Sequence, residues 1–359
     1  MIASFWLGVI LAFQGSAAAD TRVFASYAGP DTRVEVVVPS QPLDVPKVSP
    51  KNHMQFEWLV QGLARLPGAG YSYVPRFRVF EQTPPASGKA PAVARMAMRL
   101  WDFNFHRLKL DHSEQYNNRV VDYYLCNGGN PGGEQLFTED GEGVQACNVD
   151  TIFIYDMPSF TDTVEMAREV AHEYGHATLP PVGGFLEPEY WADGYLGERL
   201  FLRWFRDEMA AGHLAADDAM GADLPGLDRW VKRNVEPLVL DVALQGPDLT
   251  LMAGKTQASM NAFMGTVLYV DGLVPPKVFA RSLKLIGSQN AVDYVASAVA
   301  AVEEAAPFAV APPPGAEGKP IWLPLGKSRI TGAKPLKRKA GWVLVKPIAG
   351  RLAVTPPAQ

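Results

Sequence analysis

The sequence predicts an α+β chain with an N-terminal α/β lobe, a mainly helical C-terminal lobe and a small β appendage. Three patterns lead to this reading. Strand-like and helix-like periodicities mix as far as residue 160, helical periodicity dominates over 161–305, and short apolar runs separated by turn residues fill 321–359. The composition agrees, since 48% of the 359 residues are hydrophobic and 20% are charged. Such a chain is globular, and it is long enough to bury a large core in two lobes.

Residues 2–13 form an apolar run too short to cross a bilayer, and Ala17-Ala18-Ala19 follows with a small-residue cleavage pattern before Asp20. Residues 1–19 are therefore expected to be a leader. The mature chain is expected to have no transmembrane span and to reside in the periplasm or outside the cell. Two cysteines, Cys126 and Cys147, suit an oxidising compartment and bracket a glycine-rich stretch. A disulfide between them would close a loop of about 20 residues, worth roughly 3 kcal/mol in the chain-entropy picture.

Within the first lobe, 33–38 and 71–80 read as strands and 54–66 as a helix. Residues 84–89 read as a loop, 90–105 as a helix, and 120–125 and 149–155 as strands. Residues 162–178 read as a helix with Asp162 at its N-cap, Glu165 as a capping-box partner and Pro180-Pro181 as its stop. A second helix is expected from Pro188, in its first turn, to about Phe205. Helical patterns recur at 256–271 and 275–286. A proline-rich linker is expected at 306–320, and a basic β appendage at 321–359.

Charge is uneven along the chain. Residues 319–359 hold nine Lys or Arg and no acid; with a net charge of −5 overall, that leaves −14 for the rest. This balance gives no case for nucleic-acid binding. The basic end could associate weakly with an anionic envelope.

The chemistry concentrates at His172-Glu173-Tyr174-Gly175-His176. Two His four apart on a helix lie one turn apart on one face, so both imidazoles reach a single ion, and the Glu between them can act on a water held there. This is the H-E-x-x-H arrangement of zinc metallopeptidases. Three protein ligands and an open position are the usual requirement of a catalytic zinc. None of the other four His stands six residues past His176, so the third ligand is expected to be a carboxylate.

The stretch Tyr190-Trp191-Ala192-Asp193-Gly194-Tyr195-Leu196 resembles the aromatic-x-x-Glu-Gly segment of gluzincin metallopeptidases, with residues 150–206 carrying the likeness. The resemblance implies a zincin-like fold, a Zn²⁺ cofactor and a peptide or protein substrate. It also implies a third ligand at Asp193, where the family has Glu. Glu189 is the alternative ligand, Glu169 a candidate for orienting a ligand from behind, and Tyr195 a candidate for steadying the oxyanion. The implied mechanism has zinc polarise the scissile carbonyl while Glu173 serves as general base. The shorter Asp193 leaves a second reading open, a catalytically degenerate zinc-binding envelope protein that holds peptides or cell-wall polymers.

Overall fold

The computed structural model describes residues 21–24, 35–39, 43–48, 55–65, 73–82, 88–112, 120–136, 150–348, 352–355 and 357. The expected leader and Cys147 lie outside these residues. The first part of the chain builds a mixed sheet from β1 (Thr21–Phe24), β2 (Glu35–Val38), β3 (Leu43–Val48), β4 (Gln55–Arg65), β5 (Val74–Gln82), β6 (Val121–Leu125), β7 (Gly132–Leu136) and β8 (Asp150–Tyr155). Their order is β1-β2-β4-β5-β6-β8-β7, with β3 also on β4. The β5-β6 and β6-β8 pairs are parallel and the others antiparallel. Helix α1 (Ala90–Phe103) provides the crossover between β5 and β6. The architecture is thus a mixture of α and β.

One expected element changes type. The stretch expected to be a helix near 54–66 is strand β4, the most extensively paired strand of the sheet. Phe56, Leu59, Val60 and Leu63 fall at helical spacing. Register shifts between Phe56 and Trp58 and between Gly62 and Leu63 disrupt the alternation that would have marked a strand.

After β8 the chain enters α2 (Thr163–Thr178), α3 (Asp193–Ala210), α4 (Leu224–Asn234), α5 (Glu236–Gln245), α6 (Leu249–Met252), α7 (Gln257–Leu273), α8 (Pro276–Lys284) and α9 (Asp293–Glu304). The C-terminal strands are β9 (Phe308–Val310), β10 (Ile321–Leu323), β11 (Arg329–Thr331), β12 (Ala333–Lys339), β13 (Trp342–Pro347) and β14 (Leu352–Thr355). They form two three-stranded sheets, β10-β13-β12 and β11-β14-β9. The proline-rich segment is not a free spacer, because β9 within it pairs with β14 and Ala316 is fully buried. One apolar cluster runs from Val36 through the helices to Val354. Among the described residues no helix is long and apolar enough to cross a membrane.

Cys126 follows β6 as a free, fully buried thiol in a small cluster with Phe56, Leu59, Phe80, Tyr124 and Phe153. The expected bridge to Cys147 is therefore not formed here. Burial pushes this thiol up to about 12, which keeps it un-ionised near neutrality.

The end of α1 carries buried polarity. It continues into a π-helical turn at Asn104–Leu108. Asp102 Oδ1 stands 3.6 Å from His106 Nε2, too far for a hydrogen bond, and neither atom has another partner among the described residues. Burial raises Asp102 to about 7 against the pull of Arg99, and burial lowers His106 to about 4. An acid raised from 3.8 holds its proton longer folded than unfolded. Its stabilising contribution is complete below 3.8 and is lost as pH climbs through about 7. The Asp102→Asn variant lacks this titration. Its stability relative to the parent is expected to rise between pH 4 and pH 8, by at most about 4 kcal/mol, and its melting temperature rises with it. A pH-independent difference in thermal scans would refute this.

Candidate metal centre

Helix α2 starts where Asp162 accepts from the backbone N–H of Val164 and Glu165. The expected N-cap is therefore present, although Glu165 turns to Arg168 and closes no capping box. The helix runs back along the strand that precedes it. Tyr174 faces the sheet, where its ring meets Phe77 and its hydroxyl lies 3.2 Å from His112 Nδ1. That leaves His172 and His176 on the opposite side, toward α3.

Helix α3 begins at Asp193, five residues later than expected from Pro188. Residues 182–192 instead form a closed loop, with Ala192 N–H donating to Val182 O (2.8 Å) and Phe185 N–H to Tyr190 O (3.3 Å). The helical lobe pins this loop through Gly183 N–H to Gln289 O (3.0 Å) and Leu186 N–H to Lys255 O (2.8 Å). Glu189 therefore does not share a helix face with Asp193. It hangs from the loop above the two imidazoles.

Helices α2 and α3 cross at Gly175 and Gly197. A Cβ on Gly197 would lie 2.6 Å from Gly175 Cα, and a Cβ on Gly175 would strike the Asp193 carbonyl. The absence of side chains at the crossing lets α3 reach the backs of both imidazoles. Asp193 Oδ1 lies 2.6 Å from His176 Nδ1 and also accepts from Gly194 N–H at 3.0 Å. Glu198 Oε2 lies 3.4 Å from His172 Nδ1. Both carboxylates are buried. An ionised carboxylate only accepts, so each one favours a proton on the Nδ1 it faces, and in a neutral ring that leaves the Nε2 lone pair for a metal.

The two Nε2 atoms face each other at 3.2 Å. Glu189 reaches both, with Oε2 at 3.4 Å from His172 Nε2 and Oε1 at 3.6 Å from His176 Nε2. Asp193, expected to be the third ligand, lies beside His176 Nδ1, and Glu189, the alternative ligand, lies beside the two Nε2 atoms. Glu198 supports His172, because antiparallel α3 brings it level with that residue one turn further along.

Glu173 is buried, its Oε2 lacks a partner among the described residues, and its ligand atom lies within 4.8 Å of those of His172 and His176. Burial raises its pKa to about 7 against the pull of His172 and His176. Strand β7 passes directly over it, since a Cβ on Gly133 would collide with the Glu173 carboxylate. Burial opposes the charged form of His172, but hydrogen bonds to Glu189 and Glu198 outweigh it and raise its pKa well above the ordinary value.

Arg168 ties the outer charges together. It donates to Glu198 (2.9 Å), Glu169 (3.0 Å) and Glu165 (2.8 Å). Glu169 thus neutralises Arg168 beside the site and touches neither imidazole. The ring of Tyr195 packs edge-on against His172 at 4.8 Å and takes Arg199 on its face at 5.4 Å. Its visible role is to hold the imidazole from outside. Tyr269, on a later helix, donates to Trp322 O at 2.7 Å in the core and is structural.

The donor set suits a divalent ion. Two nitrogens bound to one tetrahedral zinc at about 2.0–2.1 Å would stand about 3.3–3.4 Å apart, close to the spacing of the two Nε2 atoms. Glu189 Oε1 is buried without a hydrogen-bond partner among the described residues, like Glu173 Oε2. A Cβ on Gly194 would fall well inside 3.0 Å of both Nε2 atoms, so only glycine keeps that space open. Among the described residues, His172, Glu173 and His176 are the one group whose ligand atoms lie close enough together for a metal. Comparison with family models, with curated proteins and with solved structures returned no match.

Proposed function

We propose that this chain is a zinc-dependent peptidase of gluzincin type, with a zincin-like arrangement around α2. The observation that carries the reading is the convergence of the two Nε2 atoms and the Glu189 carboxylate, with a separate carboxylate behind each imidazole. His172, His176 and Glu189 would hold the ion. When bound, zinc supplies Lewis acidity to a water and to the scissile carbonyl.

The chain's own residues supply the rest. Glu173 accepts the proton of the attacking water on its carboxylate and returns it to the leaving nitrogen, a role suited to a group raised to about 7. Asp193 and Glu198 hold the imidazoles in one tautomer and orientation. β7 is the last strand of its sheet, and its outer edge has no neighbour among the described residues. An extended peptide can pair with that edge by backbone hydrogen bonds. Gly133, lying against Glu173, then brings the peptide close to the base with no side chain between them.

Elemental analysis of the purified chain, together with peptide-library cleavage with and without a chelator, tests the reading. About one zinc per chain and cleavage that stops on chelation are expected. Folded, zinc-supplied protein that carries no zinc would overturn it.

A further inference from the structure

The basic C-terminal segment has no part in this chemistry, yet the fold gathers its charge in one place. Strand β12 reads Ala-Lys-Pro-Leu-Lys-Arg-Lys, and every residue after Ala333 is exposed. It forms an edge of the β10-β13-β12 sheet. Lys334 stands directly opposite Lys346 of β13, and Lys337, Arg338 and Lys339 follow along the strand. Like charges placed opposite each other weaken a strand pair. None of these five side chains pairs with an acid among the described residues. Charged side chains, lysine above all, guard an edge strand against unwanted pairing, but Lys346 lies on the inner strand, where that reason does not apply.

Two large aliphatic side chains stand among these charges. Leu336, at the bulge between Pro335 and Lys337, is 47% exposed, and Ile348, whose N–H bonds Gly332 O beside Lys346, is 71% exposed. A single-stranded nucleic acid is bound by cations together with aromatic stacking surfaces, whereas these two exposed side chains are aliphatic. A lipid surface satisfies both kinds of residue at once. Lys and Arg meet anionic head groups while aliphatic side chains enter the acyl boundary.

We propose that β12 and the adjoining end of β13 are a docking surface for an anionic lipid bilayer. Charge sets the orientation. The residues before 319 carry −14 and are repelled by such a surface, so the chain approaches through this face. The inference is independent of the metal centre.

Co-sedimentation of the full chain with phosphatidylcholine vesicles, with and without phosphatidylglycerol, tests it. Binding is expected on the anionic vesicles, weakening in 0.5 M salt and falling roughly fivefold for each cation removed. A variant combining Lys334→Glu, Lys337→Glu, Arg338→Glu and Lys339→Glu should lose binding while keeping the parent melting temperature. Leu336→Ser with Ile348→Ser should weaken binding about tenfold or more with the salt dependence unchanged. Equal binding to neutral vesicles, or binding that survives charge reversal, would overturn the proposal. So would full competition by inorganic polyphosphate combined with no effect of the two serine substitutions, which would assign the face to a soluble polyanion.

Discussion

Replacing Glu189 by alanine is expected to abolish zinc retention, whereas Asp193→Ala should lower zinc affinity only about 10–100-fold. The difference follows from which nitrogen each carboxylate faces. Glu189 stands at 3.4 and 3.6 Å from the two Nε2 atoms. Asp193 is 2.6 Å from His176 Nδ1, on the far side of that ring. Removing Glu189 takes away a donor and leaves two imidazoles, too few for a catalytic site. Removing Asp193 leaves three donors but frees the His176 ring to rotate and to change tautomer. Titration with a competing zinc indicator reads both affinities directly. If Asp193→Ala lost zinc outright while Glu189→Ala kept it, the ligand assignment would have to be reversed.

The second large effect is expected at Glu173. Glu173→Gln should reduce peptide turnover by about 10²–10⁴-fold while zinc content and melting temperature stay close to the parent values. Gln matches Glu in size, so the close approach of Gly133 is preserved. What is lost is a carboxylate that can take up a proton. The site also predicts the direction of any stability change. Burial alone disfavours the charged form of Glu173, so the neutral amide should not weaken the fold. Turnover at the parent rate would remove Glu173 from the mechanism and leave the buried carboxylate without a chemical role.

Much of this centre was legible in the sequence. The spacing of His172 and His176, the cap at Asp162 and the strand before the motif each follow from local rules, and each appears where those rules put it. The choice between Asp193 and Glu189 was left open by the sequence because it depends on where α3 begins. Pro188 is a good first-turn residue, and starting the helix there would put Glu189 and Asp193 one above the other. The loop closes on itself through Val182 and Ala192 and is tied to Lys255 and Gln289, and residues so distant cannot be seen from a local window. The pairing of Glu198 with His172 was hidden for a similar reason, since a wheel drawn on one helix does not show what an antiparallel neighbour brings alongside. β4 failed differently. Its bulges displaced apolar residues onto a helical rhythm, and its true partners in β2, β3 and β5 lie outside any short stretch. The Cys126 pairing rested on compartment and spacing, neither of which reports that the thiol points into an aromatic cluster.

The crossing of α2 and α3 at Gly175 and Gly197 has a mechanical consequence. Most helix pairs meet through a layer of side chains that can change rotamer and absorb small displacements, much as a gasket does. Here backbone meets backbone with no such layer. The separation of His172 and His176 from Glu198 and Asp193 is therefore set by the hard contact of two main chains, and the imidazoles keep their alignment through fluctuations that a softer joint would pass on to them.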